Sequence, residues 1–108
     1  MLVTVLKSKI HRAILTDANL HYAGSMGIDS AVMKKASLIE YERILVINLN
    51  TGERFETYCI AEPEGSGKFA LYGGAARLGM KGDPVIIMAF AEMTPEEAKV
   101  HKPITIGF

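Results

Sequence analysis

"RILVINLNTGERFETYCIA", residues 43–61, is the stretch that decides the fold. Its first part, residues 43–49, is a continuous apolar and β-branched run of the kind that forms a buried strand. "NTG", residues 50–52, is a hairpin connector. The return, residues 53–61, alternates, so Arg54, Glu56 and Tyr58 share one side while Phe55, Thr57 and Cys59 share the other.

Outward from this hairpin the same signals recur. Residues 3–14 alternate imperfectly, with Val5, Lys7, Lys9 and His11 on one face and Leu6, Ser8, Ile10 and Arg12 on the other. Lys9 and His11 therefore project together. "FALY" (69–72), "KGDPVIIMAFAEM" (81–93) and "PITIGF" (103–108) read as further strands, the second after a Gly-Asp turn. Helices are few. "DSAVMKKA" (29–36) starts at an Asp29 or Ser30 cap, and "TPEEA" (94–98) has a capping box, Thr94 with Glu97, and proline at the first helical position.

Six short strands with few helices predict a mainly β single domain, residues 1–108, closed into a small barrel without exposed edges. "ERILVI" from Glu42 and "DPVIIM" from Asp83 share a pattern, an acid followed by a buried run, as two related barrel halves would.

Composition narrows the function classes. Of the residues, 49% are hydrophobic and 22% charged, as in an ordered globular domain. Twelve basic residues balance twelve acidic ones, which gives no reason to expect nucleic acid or an anionic membrane as partner. The lone Cys59 has no disulfide or zinc partner and reads as a packed thiol in a reducing compartment. The longest apolar run, Val85 to Ala91, is far short of the ~20 residues of a spanning helix. "MLVTVLKSK" has no basic leader and no cleavage site, so the expected location is the cytoplasm.

His11, His21 and His101 form no ligand pair, so no metal is expected. "GSGK" (65–68) lacks the spacing of a phosphate loop and reads as a mobile hairpin tip. "HYAGSMGID" (21–29) holds a Gly-Ser pair whose plain reading is a turn.

Three runs change that reading: "KSKIHRAILTDANLHYAGSMGID", "NTGERFETYCI" and "GGAARLGMKGD". In order and spacing they resemble bacterial aspartate 1-decarboxylase over essentially the whole chain. The resemblance implies a double-psi β-barrel assembled as a homotetramer with sites between subunits. It also implies an inactive precursor that cleaves itself between Gly24 and Ser25 into residues 1–24 (β chain) and 25–108 (α chain). Ser25 then becomes a covalent pyruvoyl group, the only cofactor implied. Its ketone condenses with the amine of L-aspartate and accepts the electron pair left as CO2 departs, giving β-alanine for pantothenate and coenzyme A synthesis. A maturation helper protein is a further partner the resemblance raises.

The resemblance assigns residues as well. Lys9 and Arg54 match cations that hold the substrate carboxylates, each contact of order ~4 kcal/mol before desolvation. Tyr58 matches the proton donor, and Thr57 a group serving the cleavage oxyanion and the substrate. Gly73, Gly74 and Ala75 match a loop whose backbone approaches the substrate, and His11, Tyr22 and Tyr72 match positions lining the site. Two positions depart from the family pattern: Tyr72 stands where asparagine is common, and Gly74 where alanine is usual. The contrasting reading is a non-enzymatic barrel module, which survival of the Gly24–Ser25 bond would favour.

Overall fold

The computed structural model describes residues 1–108, which form eight strands: β1 (Val3–Ile14), β2 (Asp17–Asn19), β3 (Ser25–Asp29), β4 (Arg43–Asn48), β5 (Arg54–Glu62), β6 (Phe69–Tyr72), β7 (Pro84–Met93) and β8 (Ile104–Gly107). Helix α1 (Ser30–Lys35) follows β3, a 3-10 helix (Gly73–Leu78) follows β6, and α2 (Pro95–Val100) follows β7. The six expected strands are all present. β2 and β3 are additional.

All eight strands form one sheet in the order β2-β6-β3-β5-β4-β7-β1-β8. β1 and β2 stand six places apart in that order, about 29 Å in a flat sheet at ~4.8 Å per strand. Yet only Leu15 and Thr16 separate them in the chain. The sheet must therefore curl until β1 and β2 approach each other. Consecutive amides make the join: Leu15 N–H donates to the Asp83 carbonyl beside β7 (2.9 Å) and Thr16 N–H to Phe69 on β6 (2.8 Å). The end strands do not close the ladder by hydrogen bonds, so this is a mainly β, barrel-like sheet with an open seam.

The central hairpin β4–β5 pairs Ile47 with Arg54 through to Arg43 with Tyr58, so its alternation is the one its sequence predicts. Ile44, Val46 and Cys59 point into the core with Ile10, Met26, Ile28, Leu71, Val85 and Ile87. β4 and β7, which carry the repeated pattern, are antiparallel neighbours.

β1 departs from simple alternation. Irregularities between Leu6 and Ser8 and between His11 and Ala13 shift its register against β7. Each inserts a residue that leaves the pleat, the effect of a β-bulge. Lys7, in the first, turns to the Glu42 carboxylate (2.6 Å) and the Ser37 carbonyl (2.8 Å). Arg12, in the second, is exposed although its expected face-mate Ile10 is buried. Lys9 and His11 do alternate with buried Ser8 and Ile10, as expected.

Both helices begin as their caps dictate. Asp29 caps α1 by accepting from Ala31 N–H (2.9 Å), and Thr94 and Glu97 form a reciprocal capping box on α2. The Asp29 carboxylate also accepts from Gly65 N–H (3.0 Å) and Gly67 N–H (2.9 Å). The "GSGK" tip is thus pinned to a buried carboxylate and not free, a tertiary tie that local composition does not encode.

Candidate active site

β3 lies between β5 and β6, and all five of its residues are buried. Its small and apolar sequence suits a strand covered on both sides. Met26 pairs with Cys59 in the parallel ladder to β5, and Ser25 pairs with Tyr72 in the antiparallel ladder to β6. The parallel ladder begins at Met26–Cys59, next in sequence to Ser25 on β3 and to Tyr58 on β5.

Paired residues in a sheet present their side chains to the same face. Met26, Cys59 and Leu71 share the core face, so Ser25, Tyr58 and Tyr72 belong to the other. Ser25 is nonetheless only 2% exposed, whereas Tyr58 is 38% exposed. The Ser25 hydroxyl is thus enclosed, and the Tyr58 phenol on the neighbouring strand is open to solvent.

The backbone around Ser25 is packed tightly. Gly73 opens the 3-10 helix at φ +65°, in the left-handed region that favours glycine, and a Cβ there would lie 2.6 Å from Gly24 Cα and 2.8 Å from Gly24 N. Gly24 does not have positive φ, and a Cβ on it would meet only the Tyr72 carbonyl at 3.9 Å. The glycine required by close approach in the intact chain is therefore Gly73. The matched stretch 73–76 is the first turn of that 3-10 helix.

Tyr22 and Tyr72 flank the same segment, with ring centroids 5.0 Å apart and planes at 40°. The Tyr72 hydroxyl donates to the Glu62 carboxylate (2.7 Å). Burial, and then the Glu62 bond and charge, push the Tyr72 phenol well above its ordinary pKa, so it keeps its proton. A polar recess of ≈ 250 Å³ lined by Asp17, Asn19, Tyr22, Lys68 and Tyr72 opens beside the ring pair.

The matched cations stand elsewhere on the sheet. Ladder rows run His11–Ile86–Ile47–Arg54 and Lys9–Met88–Leu45–Glu56 across β1, β7, β4 and β5. His11 and Arg54 thus share a row and a face, three strand spacings or about 14 Å apart. β1 is four places from β3 in the strand order, and neither Lys9 nor His11 pairs with β3. Neither Lys9 nor Arg54 has an ion-pair partner in the chain. Between them lie Leu45, Ile47, Ile86 and Met88, half-exposed apolar side chains on the outer face.

No three His, Cys, Asp or Glu side chains gather where they could hold a metal. No helix is long and apolar enough to cross a membrane. Cys59 is buried, its thiol pushed up in pKa by burial and by the Glu42 charge, and it donates to the Ile39 carbonyl (3.3 Å).

The family model described as aspartate decarboxylase matches residues 1–108. The chain belongs to the aspartate decarboxylase family. It is 55% identical over 103 residues to the aspartate 1-decarboxylase of Caldicellulosiruptor saccharolyticus, covering 95% of this chain and 80% of that protein. It is 52% identical over 106 residues to the enzyme of the same name in Clostridium kluyveri, and 48% identical to that of Clostridium botulinum, covering in each case 98% of this chain and 84% of the relative.

In this aspartate decarboxylase family member the two departures from the family pattern have different weights. A Cβ at Gly74 would meet nothing within 4 Å, so the missing alanine methyl has no steric consequence. Tyr72, where the resemblance leads one to expect an amide, is a phenol already committed to Glu62. Sequence reasoning missed Glu62 altogether. Its carboxylate crosses over Gly27, where a Cβ would collide with it, to reach a partner two strands away. Only the register, not the residue types, could have disclosed that meeting.

Proposed function

We propose that the chain decarboxylates L-aspartate to β-alanine and CO2 with a pyruvoyl group made from its own Ser25, after cutting itself into residues 1–24 and 25–108. The observation that carries this reading is the buried Ser25 paired with Tyr72, with the Gly73 backbone pressed on Gly24 and Tyr58 on the adjacent strand. Membership of the aspartate decarboxylase family supports the reaction class.

The residues around position 25 fit such a group. A reactive carbonyl there needs shelter from water, and Ser25 is 2% exposed. Gly73 leaves a cradle that any side chain would fill. In self-cleavage the Ser25 hydroxyl adds to the Gly24 carbonyl and the C–N bond breaks, giving an ester and a free amine. Loss of the Ser25 α-proton then expels the Gly24 carboxylate. Water hydrolyses the resulting enamine, releasing ammonia and leaving the ketone. Thr57, on the strand that neighbours β3, is the donor for the oxyanion of the first step, a role worth ~3 kcal/mol.

Once formed, the group supplies an electrophilic ketone that takes up the substrate amine and draws off the electron pair of the breaking C–C bond. Arg54 grips one substrate carboxylate in a two-point planar contact and Lys9 holds the other as a point charge. Tyr58 delivers a proton to the carbon that loses CO2. Gly73, Gly74 and Ala75 let the backbone come close to the substrate, and His11, Tyr22 and Tyr72 line the space.

Because Lys9 stands four strands from Ser25, the site is completed by a second copy. The apolar outer face of Leu45, Ile47, Ile86 and Met88 is the surface that copy covers, in a homotetramer. The product serves pantothenate and coenzyme A synthesis in the cytoplasm, with a helper protein as a candidate aid to maturation.

Tyr58→Phe tests the assignment. The variant is expected to process into two fragments at the normal rate yet release CO2 from aspartate at least ~100-fold more slowly. Unchanged turnover would remove Tyr58 from its role.

A further inference from the structure

We propose that Glu62 is a positioning residue for self-cleavage, acting through Tyr72 to clasp the segment that carries the Gly24–Ser25 bond. The inference rests on the self-cleavage reading above.

Glu62 ends β5 in register with Asp29. Its side chain turns across β3 through the space that Gly27 leaves open, since any Cβ there would strike the carboxylate. It arrives at the Tyr72 hydroxyl on β6 as a charged acceptor at 2.7 Å, with Lys68 Nζ 3.9 Å from its second oxygen. Glu62 is largely buried there, its side chain 13% exposed.

Tyr72 is the ladder partner of Ser25, and its ring lies against Tyr22, three residues upstream of Ser25. Residues 22–25 are thus gripped between the Tyr72–Tyr22 ring pair and the Gly73 backbone, which approaches both Gly24 and the Tyr22 carbonyl. Without Glu62 the Tyr72 phenol loses its only side-chain hydrogen bond, and its ring is free to turn away from Tyr22. Attack by a hydroxyl on the carbonyl beside it depends steeply on orientation, so a loosened segment spends less time in the reactive arrangement. The persistent proton on Tyr72 keeps the donor in place.

The test is a time course of intact mass on freshly purified full-length chains: wild type, Glu62→Ala, Glu62→Gln, Tyr72→Phe and the double variant Glu62→Ala/Tyr72→Phe. Loss of a charge-assisted hydrogen bond is expected to slow conversion to two fragments about tenfold in Glu62→Ala and in Tyr72→Phe. The double variant is expected to be no slower than either single one, because one contact is removed in each case. Glu62→Gln keeps a carbonyl acceptor and is expected to recover most of the rate. Wild-type rates in both single variants, or multiplying losses in the double, would overturn the inference. So would slowing that tracks melting temperature across the set, since the effect would then be one of folding. A wild-type chain that never divides would instead overturn the self-cleavage reading itself, and this inference with it.

Discussion

At the scale of single residues, the Gly73–Gly24 contact leaves no room for a side chain. Gly73→Ala combines a positive φ with backbone atoms closer than any Cβ tolerates, neither of which a side-chain rotation relieves. It is expected to destabilise the fold by about 1–3 kcal/mol and to slow self-cleavage, read by thermal melting and intact mass. Gly74→Ala, with open space around it, is the matched control and should change neither. Part of this site was legible in the sequence. The "RFETYC" alternation puts Arg54 and Tyr58 on one side of a strand, while the roles proposed for Ser25, Arg54 and Tyr58 come from the family resemblance, since by type alone the Gly-Ser pair reads as a turn. Glu62 was not, because its neighbour Tyr72 is set by strand order, and a glutamate ending a strand reads as a solvated charge. Nor was the division of labour between Gly24 and Gly73, since backbone angles are fixed by packing.

At the scale of elements, two buried carboxylates fasten turns to the sheet. Asp29 joins β3, α1 and the 65–67 tip, while Asp83 accepts from Asn48 and Asn50 (2.9 Å each) and ties the β4–β5 connector to the start of β7. Hydrogen bonds from Gly67 and Ala31, chiefly, hold Asp29 below its ordinary value of 3.8, and those from Asn48 and Asn50 do so for Asp83. Folding therefore favours the ionised form of both. Their stabilisation is complete above the unfolded value and is lost as pH falls through the lower folded value. Asp29→Asn should lower the melting temperature at neutral pH and flatten its decline below pH ~4, measured by thermal melts across pH. An unchanged acid limb would assign the acid sensitivity elsewhere.

The same scale explains which elements the sequence disclosed. Both helices were legible because capping chemistry is local: Asp29, Thr94, Pro95 and Glu97 act within a turn of themselves. β2 and β3 were not. "DAN" is three exposed residues, and "SMGID" lacks the β-branched density of a strand, being held by neighbours on both edges. The two irregularities in β1 likewise arise from pairing with β7.

At the scale of the whole molecule, the curl of the sheet follows from a connection of two residues between strands six places apart, and Leu45, Ile47, Ile86 and Met88 form a half-exposed apolar patch on its outer face. The short, evenly spaced strands foretold a small mainly β fold. The strand order, and with it the separation of Lys9 from Ser25, depended on long-range pairing that no local pattern carries. If copies of the chain meet on the outer face, Met88→Glu should break the assembly without disturbing the core, because Met88 alternates with buried Ile87 and Ala89. Sedimentation is expected to show a tetramer for the wild-type chain and smaller species for Met88→Glu, with turnover falling together with assembly. A wild-type monomer with full activity would contradict a shared site.

The most direct measurement is the intact mass of the purified chain, followed over time and paired with CO2 release from L-aspartate, with Ser25→Ala alongside. The wild-type chain is expected to divide between Gly24 and Ser25, the larger fragment to carry a pyruvoyl terminus, and CO2 to appear only as division proceeds. Ser25→Ala stays whole and inactive. Decarboxylation by an undivided chain with an unaltered Ser25, or division of the Ser25→Ala chain, would contradict the self-cleavage reading.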